Sequence, residues 1–214
     1  MKINLKFTIS LLLVCFTTFF ISSQVFAQME AYMWKSSFIK SGKLNLKIST
    51  EYAVGGDYTS ADITEGINRW KNTSANLNLS SASFASSNVD IRTVNSQTWN
   101  NNGWGSNTYA WTQPFDGTFA CATNLSTNKC TSSNSIDYAA IYINSSKDTG
   151  GLLSSTKQDR RRGVIAHELG HAFTIHHNSL IGATSVMKTS MWHESNFSVT
   201  PTSTDINDFN RVYK

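Results

Sequence analysis

Leu44, Leu46 and Ile48 stand every second residue along the chain, a period near two that predicts a strand over residues 44–53. Gly55-Gly56-Asp57 ends it, and Ser60 is placed to cap a helix over residues 61–71, where Ile63, Ile67 and Trp70 fall on one face. Alternation returns in residues 89–94 and 109–112, two further strands separated by a loop over 100–107 rich in Asn and Gly. Residues 136–143 (Ile-Asp-Tyr-Ala-Ala-Ile-Tyr-Ile) predict a fourth strand, ended by Asn144-Ser145-Ser146. Thr156 or Asp159 then opens a helix carrying Val164 and Ile165, and Ile206, Phe209 and Val212 predict a closing helix over 203–212. Strands and helices mixed in this order predict an α+β fold, a twisted mixed sheet with one helix after it and another at the C-terminus.

The first 27 residues have a different pattern. Lys2 and Lys6 precede a largely apolar run from Phe7 to Ile21, and Val25-Phe26-Ala27 offers a small-residue cleavage site before Gln28, the form of a secretory signal peptide. The run is short for a membrane span, which needs roughly 20 apolar residues. The expected mature protein is residues 28–214, a secreted, extracellular chain long enough for one domain with a full core. Residues 28–42 are weakly patterned and read as a short mobile leader.

Removing the two signal lysines leaves 16 basic against 14 acidic residues, a net charge of +2. That balance, with no basic stripe, argues against nucleic acid as a partner. Arg160-Arg161-Arg162 reads as a solvated face, and Trp70 and Trp111 as core residues. In an exported protein Cys121 and Cys130 form one disulfide across a polar loop; the competing reading, a pair of metal ligands, fits no common zinc spacing.

All five histidines lie between positions 167 and 193, four of them in His167-Glu168-Leu169-Gly170-His171 and the adjoining Ala172-Phe173-Thr174-Ile175-His176-His177. Residues i and i+4 share a helix face, so His167 and His171 can converge on one metal ion, with Glu168 beside them. This is the H-E-x-x-H arrangement of zinc metalloproteases. A catalytic zinc needs a third protein ligand and one open position. His177, ten residues after His167, can supply it only if the helix stops soon after His171 and the chain turns sharply.

The stretch from His167 to His177, with Ser185-Val186-Met187 after it, resembles the metzincin clan of zinc peptidases, and within it the matrixins, whose pattern is H-E-x-x-H-x-x-G-x-x-H and then a Met-turn. The resemblance is strong over residues 160–190. It is looser elsewhere, where the Trp70-bearing helix looks like the family's opening and Thr204-Asp205-Ile206-Asn207-Asp208 with Tyr213 like its terminal helix. It implies a zincin-like catalytic domain with one catalytic Zn2+ held by His167, His171 and His177, Glu168 as general base towards zinc-bound water, and Met187 beneath the metal. It also implies a protein or peptide substrate lying extended along an edge strand. The mature chain is expected to be a monomer, with no stable membrane association once the signal is removed.

The chain departs from that pattern in two places. Thr174 stands where the family has glycine at the turn, a position that favours positive φ, so the helix exit can differ and His176 becomes an alternative third ligand. No histidine precedes position 167, so a second, structural zinc is not expected. In the gluzincin clan the third ligand is instead a downstream glutamate, for which Glu194 is the candidate. Carboxylates are too sparse to argue for calcium. The alternative function is a secreted zinc-binding protein on a protease-like scaffold, with little or no hydrolysis.

Overall fold

The computed structural model describes residues 32–105, 108–121, 134–145, 157–189 and 196–214. The signal segment and Cys130 lie outside them. Among the described residues nine strands and four α-helices occur in chain order: β1 (Met33–Trp34), β2 (Ile39–Lys40), β3 (Lys43–Tyr52), α1 (Ser60–Lys71), β4 (Leu77–Ser81), β5 (Val89–Val94), α2 (Ser96–Asn101), β6 (Ala110–Asp116), β7 (Phe119–Ala120), β8 (Ser135–Ile136), β9 (Tyr138–Asn144), α3 (Gln158–Ala172) and α4 (Ser203–Val212). The main sheet runs β2-β3-β5-β9-β6-β7, with β4 also paired to β3. The β4–β3, β3–β5 and β5–β9 pairings are parallel, while β6 lies antiparallel to β9. The fold is therefore α+β with a mixed sheet, as expected, and no helix of the described residues is long and apolar enough to cross a membrane.

Local rules account for most of these elements. The alternation in β3 buries Leu44, Leu46 and Ile48. α1 is capped one residue earlier than expected: Thr59, not Ser60, accepts from the Asp62 amide (3.2 Å), and Asp62 accepts in return from the Thr59 amide, a reciprocal capping box. The expected strand over 136–143 is split at Asp137, which accepts from Lys35 Nζ (2.5 Å) and the Gly117 amide (2.9 Å). Two elements have little local signature. The short helix α2 is capped by Asn95, whose side chain accepts from the Thr98 amide, and extends into the expected loop. In β4 only Leu79 is buried, so its apolar signal is faint.

The described part of the expected leader, residues 32–42, is packed rather than loose. β1 pairs with β8, Tyr32 and Trp34 are buried, and the Trp34 indole donates to the Ala172 carbonyl at 2.8 Å. The bulky apolar side chains anchor the segment although they keep to no strand or helix period.

The long helix after the sheet, α3, is held against α1 at close range. A Cβ on Gly66 would stand 2.5 Å from Ile165 Cβ, so only glycine permits this approach. Trp70 Nε1 donates to the Ala166 carbonyl (2.7 Å), and its ring meets Phe173 edge-on at 5.4 Å. The arginine run is not a solvated face. Arg161 is buried, with Nε 3.0 Å from Asp62 Oδ2, and Arg162 Nε lies 3.2 Å from Asp62 Oδ1. Asp62 thus caps α1 and neutralises α3 at once. Burial acts to raise its carboxyl, but Arg161 and the Thr59 bonds outweigh it and hold the group below the usual carboxylate range.

Asp62→Ala takes a counter-charge away from a buried guanidinium and should cost about 3–5 kcal/mol in urea unfolding. The depressed folded pKa also fixes a sign. The stabilisation is fully present above the ordinary carboxyl value near pH ~4 and is lost as pH falls through the lower folded value. The variant should lack this acid-side loss.

Candidate metal centre

α3 carries His167, Glu168 and His171 on consecutive turns, and the path of the chain beyond the helix determines whether a third group can join them. Phe173 caps the helix, the Thr174 amide donates to the His171 carbonyl (2.9 Å), and the Ile175 amide donates to the Gly170 carbonyl (2.9 Å). This pair of bonds is a Schellman stop, with Thr174 in the left-handed position at φ +69°. The expected consequence of losing glycine, a different helix exit, does not occur. The stop reverses the chain within four residues of His171 and brings His177 back over the helix.

The three side chains meet. The Nε2 atoms of His167, His171 and His177 lie 3.2 Å from one another in all three pairings. His176, the alternative, is outside this cluster, the one group of potential metal-binding side chains among the described residues. Glu194 and His193 lie outside the described residues.

The protonation of the rings is set from their far sides. His167 Nδ1 is 2.7 Å from the Val186 carbonyl and His171 Nδ1 is 2.9 Å from the Ile175 carbonyl. A carbonyl only accepts, so each Nδ1 carries the proton and each Nε2 turns a lone pair inward. Burial pushes His167 down to about 4, partly offset by the Val186 bond, and burial with the neighbouring imidazoles takes His171 well below its ordinary value. The neutral rings of His167 and His171, with converging lone pairs, repel unless a cation lies between them. Zinc at about 2.0–2.1 Å from three tetrahedral nitrogens sets them about 3.3–3.4 Å apart, close to the spacing found. The donor set fits the metal.

Glu168 is buried beside this triangle, and Thr112 of β6 donates to its Oε2 at 2.7 Å. Burial pushes its carboxyl up to about 7, against the lowering effect of the Thr112 bond. Thr112 carries no signal in the sequence beyond its place in a strand.

The loop beneath the rings is anchored from α4. Asp205 accepts from the Val186 amide (3.1 Å) and from Ser185 Oγ (2.5 Å), while serving in the capping box of α4 with Thr202. The Asn178 amide, next to His177, donates to the Met187 carbonyl at 2.6 Å. Met187 is fully buried against α3, and a Cβ on Gly170 would come within 2.2 Å of its sulfur.

Residues 148–213 match the model of Peptidase family M48. That span covers α3, the histidine cluster and α4, under half of the chain. No curated protein shows a significant match. The matched segment and the histidine triad together make this a zincin-like domain with the makings of a zinc metallopeptidase. The matched family is of gluzincin rather than metzincin type, so the match supports the zinc-peptidase part of the resemblance and not the narrower likeness to matrixins.

Gly170→Ala drives a methyl into Met187 and should cost about 1–3 kcal/mol by overpacking, although alanine is the better helix former. Urea unfolding of the metal-free protein measures it.

Proposed function

We propose that the chain is an exported, single-domain zinc endopeptidase with a metzincin-type ligand set of His167, His171 and His177, and Glu168 as general base. The observation that carries this reading is the equilateral triangle of Nε2 atoms. Zinc held there would supply Lewis acidity, polarising the scissile carbonyl and easing deprotonation of water near neutral pH. Glu168 takes the proton of the attacking water and returns it to the departing amine. Thr112 fixes one oxygen of that carboxylate and so sets its direction. The rings of His167 and His171 are kept in one tautomer by the Val186 and Ile175 carbonyls, which orients their lone pairs before any metal arrives. A disulfide between Cys121 and Cys130, removal of residues 1–27, a peptide substrate and a monomeric state belong to the same proposal.

The family match favours a second reading, in which Glu194 is the third ligand in place of His177. The two differ in a measurable way. On the metzincin reading His177→Ala abolishes stoichiometric zinc and Glu194→Ala does not; the gluzincin reading reverses the two.

Hydrolysis is tested with the mature protein and casein. Glu168→Gln should keep one zinc per chain and lose about 10²-fold or more in rate, the usual worth of a positioned acid–base group. Zinc in both proteins with no hydrolysis in either would favour a binding protein on this scaffold. Absence of zinc from the wild type would overturn both readings.

A further inference from the structure

Thr174 has the wrong side chain for its backbone. At φ +69° it occupies the left-handed region that a β-branched residue enters only with strain, and that glycine enters freely. It is also completely buried, so water cannot satisfy its hydroxyl. That hydroxyl meets the phenol of Tyr213, 39 residues away, at 2.8 Å. The phenol donates to the Phe173 carbonyl at 3.2 Å, which leaves Thr174 Oγ1 as donor in the bond between the two side chains. The Trp34 indole takes the Ala172 carbonyl. Three consecutive residues at the end of α3 are therefore held from the two ends of the domain.

We propose that Tyr213 is a positioning residue for His177. Its phenol holds Thr174 in the left-handed conformation, and that conformation sets the direction in which the chain leaves α3 and returns with the third imidazole. The hydroxyl–phenol pair takes the place of the conformational freedom a glycine would bring. Neither residue touches the metal position; both act through the Schellman stop between His171 and His177. The positioning role rests on the ligand set of His167, His171 and His177.

The test compares four mature proteins: wild type, Tyr213→Phe, Thr174→Gly and the double variant. Zinc dissociation constants are read by competition with a chromogenic chelator, and thermal unfolding of the metal-free forms is measured alongside. Tyr213→Phe should weaken zinc about tenfold or more, the usual effect of removing a group that orients a ligand. Thr174→Gly should stay near wild type, and in the double variant glycine should rescue the affinity lost with the phenol. An unchanged zinc affinity in Tyr213→Phe, with only a lower melting temperature, would reduce the phenol to a structural role and overturn the proposal. So would a double variant as weak as Tyr213→Phe alone. If Tyr213→Phe does not fold, Thr174→Val is read instead. It keeps the strained branch and lacks the hydroxyl, and should show the same loss of zinc. His177→Ala separates this proposal from its foundation: zinc retained without His177 overturns the ligand set, whereas zinc lost there but unchanged in Tyr213→Phe overturns the positioning role alone.

Discussion

Three imidazole nitrogens facing one point, two of them with their lone pairs inward, form an arrangement that the protein must enforce. Nothing attracts His167 and His171 to each other: their protons are on the far side, bonded to the Val186 and Ile175 carbonyls, and burial keeps those rings neutral. The remainder of the site is the means of holding this triangle. α3 supplies two rings with a rigid spacing. The Schellman stop supplies the reversal that returns the third, and Asp205 fixes the carbonyl that selects the His167 tautomer by bonding the neighbouring backbone.

The supports are shared between elements. Asp62 caps α1 and neutralises the arginines of α3; Asp205 caps α4 and anchors the loop under the rings. Glycine stands where two elements approach too closely for a methyl group, at Gly66 against Ile165 and at Gly170 against Met187. A single carboxylate or a missing Cβ thus couples parts of the fold distant in sequence, and α3 can be buried on nearly every face without losing its polar groups.

How much of this is legible in the sequence depends on range. His167, Glu168 and His171 are one helical turn apart, so spacing alone brings them together. His177 can be placed because the required reversal is also local. The resolution of the Thr174 problem is not legible, since the partner that stabilises its backbone lies 39 residues away and no local rule links a threonine to a tyrosine at that distance. Thr112 and Arg161 escape sequence reasoning for the same reason. Their roles come from Glu168 and Asp62, on other elements, and a polar residue in a strand or an arginine in a run looks solvated until its partner is known. The segment before β3 looks mobile in sequence because Trp34 is anchored by a bond to Ala172 rather than by any periodic pattern.

The length of these connections bears on the order in which the protein folds. The Trp34–Ala172 bond closes 138 residues and the Asn76–Tyr213 bond closes 137. Contacts of such separation are reached only after large loops have been ordered, which slows folding and places them late in its course. α3, by contrast, is built from local bonds. A zinc ion arriving during folding would meet two histidines on a nascent helix well before the third was in place, and tight capture would have to wait for the termini to dock.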